Sequence, residues 1–203
     1  MSAVKNVRDV YAENTRQTLL DTGRRLFAER DYATLSAEEL VRSAGLTRGA
    51  LYHHFDGKRG LFEAVLDEAE RCAAQRIRAA ISTTSDPMQR IVRGIAEFLD
   101  ICADPGYQRI VLLEGPAALG WRRWRELDHT HLGSMVVEEM QALLDAGLIE
   151  PYPADLVAGA IYGALTELSL TIADAGGRAH PQATDLIHHL LMGLARQKGP
   201  VRP

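Results

Sequence analysis

The sequence has little of what marks exported or membrane-spanning proteins. Its 203 residues include only two cysteines, Cys72 and Cys102, which predicts a reducing compartment or buried free thiols rather than a disulfide framework. The first ten residues carry three charges and lack an apolar run of signal-peptide length. The longest uncharged apolar run, residues 156–166, falls short of the roughly 20 residues that a spanning helix needs. We therefore expect a cytoplasmic protein with no membrane partner.

The sequence also lacks the short motifs of common enzyme classes. It has no Gly-rich phosphate loop, no Gly-x-Ser-x-Gly and no His-Glu-x-x-His. The paired histidines at 129/131 and 188/189 diverge on a helix and have no nearby cysteine, so no metal site is expected. The sequence predicts no catalysis and no cofactor. We keep a helical scaffold protein and a small enzyme of unknown type as alternative function classes.

The charge is unevenly distributed along a chain of otherwise ordinary composition. Hydrophobic residues make up 46% and charged residues 25%, as in soluble globular proteins. Residues 1–60 contain ten Lys/Arg and eight Asp/Glu, whereas the remainder contains thirteen and nineteen. A mildly basic first third on an acidic body favours an anionic partner for that third, although chance asymmetry would look the same.

Apolar residues recur at helical spacing almost everywhere, which predicts an all-α fold of about nine helices and no strands. Ser36 and Glu39 form a capping box that opens a short second helix, Gly45 ends it, and Thr47 caps a third. The sixth helix is interrupted at Gly115–Pro116. The predicted helices cover about 15–30, 36–44, 48–54, 58–80, 87–102, 107–119, 121–146, 154–173 and a last one from 181.

The second and third helices, with a glycine in the turn between them, form a helix-turn-helix candidate. At 100° per residue, Ala50 and Leu51 lie on the inner side of the third helix, and polar side chains lie on the outer side, which suits a major groove. A solvated face of a small helical subdomain is the alternative. The predicted DNA-binding residues are Ser36, Thr47, Arg48, Gly49, Tyr52, His53 and Lys58, with Thr47 and Lys58 holding phosphates.

The stretch from Thr15 to Leu66 resembles the DNA-binding domain of TetR-family transcriptional regulators. The most specific part is AGLTRGALYHHF, residues 44–55, followed by Lys58 and Leu61. The resemblance covers about a quarter of the chain. Asp31 stands where the family usually has glycine, and Val41 replaces a usual alanine. Asp tolerates a left-handed backbone, so the first departure changes little.

The resemblance implies a nine- or ten-helix fold, a homodimer built on the last two long helices, and a ligand cavity in the C-terminal body. It implies an operator of double-stranded DNA and a small-molecule effector. It also implies that Thr47, Arg48, Gly49, Tyr52, His53 and Lys58 face DNA. We therefore expect a helix-turn-helix domain over residues 1–57, a ligand-binding and dimerisation domain over 58–203, and function as a ligand-released repressor.

Several residues of the predicted body are candidates for these roles. The eighth helix is apolar on all sides, which predicts cover by a second copy of the chain. Glu114 could face a cavity or pair with Arg109, the aromatic residues could line a pocket or fill the core, and Thr166 and Glu167 could lie at either place. The predicted ligand-binding residues are Cys102, Tyr107, Glu114, Trp121, Trp124 and Tyr162. The predicted dimer residues are Leu165, Leu168, Leu186, Leu190 and Leu194.

Overall fold

A computed structural model describes residues 7–174 and 182–195. Within these residues the fold is all-α with nine helices, as the apolar periodicity predicts, and the one extended pairing is an isolated antiparallel bridge between Ile149 and Ala195. The N-terminal helices are α1 (Val7–Glu29), α2 (Ala37–Ser43), α3 (Arg48–Phe55) and α4 (Lys58–Ile81), with a short 3-10 turn at Tyr32–Thr34. Helix α1 begins eight residues earlier than predicted, because an exposed first turn needs no apolar stripe.

The remaining helices form the body. Helix α5 is Pro87–Cys102, α8 is Ala154–Asp174 and α9 is Ala183–Gly193. Helix α6 runs on through three pieces, Pro105–Tyr107, Gln108–Leu113 and Glu114–Leu119, and α7 likewise through Trp121–Asp128, His129–Gly133 and Ser134–Asp145. The middle piece of each is a wider, π-helical segment. The predicted start of α9 near residue 181 lies outside the described residues.

Local side-chain chemistry sets several helix ends as the sequence predicts. The Ser36 hydroxyl accepts a hydrogen bond from the Glu39 amide at 3.1 Å, and the Glu39 carboxylate accepts one from the Ser36 amide at 2.9 Å. These bonds, the backbone one foremost, lower the pKa of Glu39 to about 2. Asp86 caps α5 through the Gln89 amide at 2.8 Å.

The joint between α3 and α4 depends on close backbone packing. Asp56 and Gly57 take positive φ angles of 55° and 93°, so the chain reverses within two residues. A Cβ on Gly60 would lie 1.5 Å from the Phe55 carbonyl oxygen, so only glycine fits there. This fixes the orientation of α3 on the first turn of α4.

The break predicted at Gly115–Pro116 is not an end of helix. The helix widens over residues 108–113 and then continues through both residues. Pro116 has no N–H to donate to the carbonyl of Val111, five residues before it. The indole N–H of Trp124 donates to that carbonyl oxygen instead, at 2.8 Å. A Cβ on Gly115 would lie 2.7 Å from the same indole, so the glycine makes room for the tryptophan.

Helix α8 is 21 residues long with a mean hydropathy of 1.5, and among the described residues it alone has the length and apolarity to cross a membrane. Half of the most apolar 18-residue stretch of this helix is buried inside the protein. The helix extends past Glu167, the exposed residue at which the uncharged run of residues 156–166 ends. A core helix with one uncovered face gives the same composition.

Candidate nucleic-acid interface and ligand cavity

Helix α3 presents its outer face to solvent and its inner face to the core. Leu51 and Phe55 are buried, whereas Thr47, Arg48, Gly49, Tyr52 and His53 are exposed. The Thr47 hydroxyl accepts from the Ala50 amide at 3.2 Å, so it caps the helix N-terminus as predicted. The Arg48 guanidinium lies 5.9 Å from the centre of the Tyr52 ring, and these two long side chains form one exposed surface.

Two arginines near this face are free of carboxylates within the described part of the chain. Arg48 contacts only the Tyr52 ring, and Arg42, in the last turn of α2, is exposed with no ion pair. By contrast, Arg24 pairs with Glu68 at 2.6 Å and Arg30 with Glu39 at 3.2 Å. Arg42 and Arg48 can therefore approach phosphates or base edges without breaking an internal contact. Arg42 is not among the DNA-binding residues predicted from the sequence, although its position in the turn beside α3 could have indicated it.

Two predicted DNA-binding residues are held internally, which corrects the view of them as free anchors. The Ser36 hydroxyl both accepts and donates inside the capping box. The Lys58 ammonium donates to the carbonyls of Tyr32 and Leu35 at 2.8 and 2.7 Å and lies 4.0 Å above the Tyr32 ring. Desolvation lowers the pKa of Lys58. Lys58 therefore ties the 3-10 turn to α4, with one N–H left over.

Helix α4 links this unit to the body. Phe62 packs edge-on against Phe27 with ring centres 5.0 Å apart, and Gly23 allows α1 to lie close against Val65. A second link is the ion pair between Asp31 and Arg109 of α6, at 2.6 Å. The position where the family usually has glycine thus carries an interdomain contact in this chain.

An apolar cavity of about 60 Å³, measured as space open to the centres of water-sized spheres, lies among α4, α5, α7 and α8. Its wall is mostly isoleucine, leucine and methionine, with Phe98 and Tyr162 as the aromatic members. The Arg90 and Glu139 side chains form an ion pair on the wall, with Nε to Oε2 at 2.9 Å. This volume can hold a few waters or part of a small ligand.

Of the six predicted ligand-binding residues, only Tyr162 lines this cavity. Trp121 is 57% exposed, and Trp124 is buried beneath Gly115. Glu114 lies 3.8 Å from Arg109, so the pairing alternative holds. Cys102 and Tyr107 are buried away from the cavity wall, and the free thiol of Cys72 is exposed rather than buried. The prediction placed the site by aromatic residues, whereas branched aliphatic side chains form most of the wall.

A buried polar cluster borders the cavity at Tyr162. Glu70 is fully buried, and the Tyr107 hydroxyl lies 3.4 Å from its Oε2. Asp128 accepts from Arg125 at 3.2 Å, and Arg125 also donates to the Thr166 hydroxyl at 2.8 Å. The cluster consists of Glu70, Tyr107, Asp128, Tyr162, Arg125 and Thr166.

Sequence analysis missed the acidic members of this cluster. Glu70 lies four residues after Leu66 and three before Ala73, on the apolar stripe of α4, and Asp128 follows Trp124 by four residues. A charge inside an apolar stripe is the signal that could have found them. Thr166 belongs to this cluster and does not line the cavity.

The predicted dimer residues divide between interior and surface. Leu165 is buried within the single chain and lines the cavity, so little of its side chain is open to a partner copy. Leu168 and Leu186 line an open groove between α8 and α9, and Leu190 is 46% exposed. Leu194 is half-buried, and its carbonyl accepts from the Glu150 amide at 2.9 Å. Helical spacing alone cannot tell which side of an all-apolar helix faces the core of its own chain.

The outer side of these two helices, which we call the α8–α9 face, carries exposed apolar side chains. It includes Leu156 at 63% exposure, Leu186 and Leu190. Gly159 and Gly163 have open space where a Cβ would be, which lets another helix approach closely. Neighbouring exposed apolar side chains of this kind are typical of interaction surfaces.

An exposed helix-turn-helix face joined by one long helix to an apolar cavity defines a helical DNA-binding regulator. Residues 19–65 match the model described as bacterial regulatory proteins, tetR family, and residues 88–194 match the tetracyclin repressor-like C-terminal domain. The chain belongs to the TetR family of transcriptional regulators, whose members bind DNA and small-molecule ligands as dimers.

Similar proteins agree with this assignment. A TetR-family transcriptional regulator from Pectobacterium atrosepticum is 32% identical, with a TM-score of 0.78 over 96% of this chain and 98% of that one. The transposon Tn10 TetC protein of Escherichia coli is 27% identical over 78% of this chain and 80% of its own length. The transcriptional repressor AcnR of Corynebacterium efficiens is 33% identical over 41% of this chain and 42% of its own.

Proposed function

We propose that the protein is a transcriptional repressor that binds an inverted-repeat operator as a homodimer and is released when a small molecule enters the α4–α5–α7–α8 cavity. The observation that carries the proposal is that α4 contacts the DNA-binding helices at one end and the cavity at the other. Its first turns hold α1 and α3, and its last turns, at Ile77 and Ile81, form the cavity wall. Repression is typical of the family, and the relative AcnR is named a repressor.

In this proposal the exposed face of α3 enters the major groove. Arg48 and Tyr52 reach base edges, Gly49 allows the backbone to approach, and His53 and Thr47 border the groove. Arg42 and the N-terminus of α3 bind phosphates. Lys58 and Ser36 act mainly by holding the unit in shape, with the remaining Lys58 N–H available to a phosphate. The protein then works in the cytoplasm, with DNA, and needs no catalytic group or cofactor.

The partner copy docks on the α8–α9 face. Leu156, Leu186 and Leu190 supply apolar area, and Gly159 and Gly163 permit close helix packing. A two-fold axis through this face places two α3 helices on one side of the dimer. Recognition of half-sites about 34–36 Å apart follows from that symmetry.

Release follows from the two links between body and DNA-binding unit. A ligand that enlarges the cavity moves the C-terminal half of α4, and α4 moves α1 and α3 with it. The Asp31–Arg109 ion pair ties α6 to the loop before α2. A shift of a few ångströms between the two α3 helices removes one of two groove contacts.

The proposal is tested by fluorescence anisotropy with DNA from immediately upstream of the protein's own coding sequence. We expect one saturable complex that resists competition by random DNA, and a footprint with two-fold symmetry. Arg48→Ala is the matched variant, since its side chain makes no contact that folding requires. Equal affinity for upstream and random DNA would contradict the proposal.

A further inference from the structure

Within the described part of the chain, Glu70 is a buried carboxyl group that forms no ion pair. It is fully buried, and its Oε1 has no hydrogen-bond partner among the described residues. The groups that act on it are acidic or neutral, namely Asp128, Asp67, Tyr107 and Cys102, whereas Arg125 of the same cluster is paired with Asp128 and lies over the Tyr162 ring. A buried carboxylate in such surroundings calls for a donor that carries positive charge.

The Tyr162 hydroxyl oxygen is the second buried polar atom of the cluster that accepts no hydrogen bond from the described residues. The hydroxyl is buried facing the Asp128 carboxylate, while the Tyr162 ring forms part of the cavity wall. Burial, Asp128 and Glu70 together raise the pKa of Tyr162, so its hydroxyl stays neutral beside these carboxyls. Tyr162 is therefore the border between the apolar cavity and the acidic cluster.

Glu70 lies behind Tyr162 and does not itself line the cavity, whereas the carboxylate of Glu139 does and provides an internal comparison. Glu139 lies on the wall and is paired with Arg90 through both nitrogens of the guanidinium edge. Asp128, in the polar cluster, is likewise paired with Arg125. Glu70 differs from both because its charge and one of its oxygens are left without a partner.

We propose that the effector carries a protonated amine on a compact apolar body, with the amine bound between Glu70 and Tyr162. The ammonium donates one hydrogen bond to Glu70 Oε1 and another to the Tyr162 hydroxyl oxygen. The body lies against the aliphatic wall formed by Ile77, Ile95 and Leu165. If the Glu70 carboxyl group is protonated before the ligand binds, its proton is released to solvent when the ammonium binds. This deepens the proposed function by naming the ligand class, yet binding can be measured without DNA.

The alternatives of similar shape fit the site less well. A hydroxyl group has a single donor for two acceptors and no charge to offset that of Glu70. A carboxylate adds a like charge next to two carboxyl groups. A protonated amine supplies both donors and the charge, and the apolar wall strengthens its attraction to Glu70 by excluding water.

The position of Glu70 also connects the amine to the DNA-binding unit. Tyr107 touches Glu70, Gln108 donates to the Cys102 carbonyl at 2.6 Å, and Arg109 pairs with Asp31. These three consecutive residues lie at the start of the π-helical segment of α6. A ligand that draws Glu70 away from Tyr107 acts directly on this segment.

The experiment is calorimetric titration of the full chain with matched compounds that differ only in the head group. Hexylamine, hexanol and heptanoate form one set; phenethylamine, phenethyl alcohol and phenylpropionate form another. We expect each amine to bind at least about tenfold tighter than its alcohol, or about 1.4 kcal/mol, and the acids to bind most weakly. Glu70→Gln should bring the amine to the affinity of the alcohol, whereas the matched control Glu139→Gln should keep the amine preference.

Tyr162→Phe is the second variant and removes one acceptor without removing the charge. It should reduce the amine preference in part, which keeps the proposal testable if Glu70→Gln does not fold. Amines that bind no tighter than alcohols, or a preference that survives Glu70→Gln or follows Glu139→Gln, would overturn the proposal. Operator binding is measured separately in the same variants. Amines that bind selectively but leave operator affinity unchanged would support the amine site and contradict ligand-controlled release.

Discussion

Glu70 is the residue at which burial and charge are most at odds. Desolvation first, and then the carboxylate of Asp128, raise its pKa well above the usual value. The Tyr107 hydroxyl acts in the opposite direction but contributes less. The protein therefore gives up folding stability at neutral pH to keep a carboxyl group in this position, as expected for a group retained for binding.

The stability of the protein should depend on pH through Glu70. Below the unfolded pKa of about 4.3 both states are protonated and nothing is lost. As pH rises from there, the unfolded chain ionises first, so stability falls until pH passes the raised folded pKa. Glu70→Gln should remove this fall and raise Tm at neutral pH relative to the wild type. Thermal unfolding of both proteins across pH 4–9 gives the difference between their Tm values at each pH. Glu39 is present in both proteins, so its opposite effect on stability cancels in this difference. A constant difference in Tm would contradict the raised pKa.

Arg48 and Lys58 should respond differently to removal, although the sequence places both on the DNA side. Arg48→Ala should leave Tm unchanged and cost about 1–3 kcal/mol on the cognate site. Lys58→Ala removes the ammonium donor from the Tyr32 and Leu35 carbonyls, of which the Tyr32 carbonyl keeps the Leu35 N–H at 3.3 Å, and the loss should cost about 1–3 kcal/mol of folding free energy. Thermal unfolding and DNA titration of both variants separate the two roles. An unchanged Tm for Lys58→Ala would restore it as a simple phosphate anchor.

At the scale of elements, most of the fold could be predicted. Caps such as Ser36 and Asp86 act within one turn, so their sequence pattern suffices to place helix starts. The widened segments of α6 and α7 could not be predicted, because they depend on distant contacts such as Trp124 with Val111. The exposed face of α3 was predictable from periodicity, whereas the cavity depends on how four helices meet. Which side of α8 faces the cavity could not be predicted for the same reason.

The α8–α9 face yields a test at this scale. Leu190→Asp places a charge where the partner copy is proposed to pack, which should weaken the dimer by several kcal/mol. Sedimentation should then show a monomer at micromolar concentration, with normal helicity by circular dichroism. Leu165→Ala is the interior control: it should keep the dimer but lower folding stability by about 2–5 kcal/mol. A stable Leu190→Asp dimer would place the interface elsewhere.

At the scale of the whole molecule, the link between cavity and DNA is a coupling free energy, of about 1–3 kcal/mol in typical allosteric proteins. Arg109→Ala removes the Asp31 ion pair while leaving α4 intact. We expect operator affinity near that of the wild type but a smaller loss of affinity when ligand is added. DNA titrations with and without a saturating amine measure the coupling directly. An unchanged coupling would assign the whole signal to α4.

Helix α8 serves two surfaces at once. Its inner side, with Ile161 and Leu165, closes the cavity, and its outer side, with Leu156 and Gly159, is open to a second copy. A packed helix moves as a unit, so a molecule that displaces the inner side also displaces the outer one. In a dimer built on this face, the first molecule bound alters the vacant site of the twin. Induction then departs from a simple hyperbola, and the Hill coefficient of the response reports how stiff α8 is.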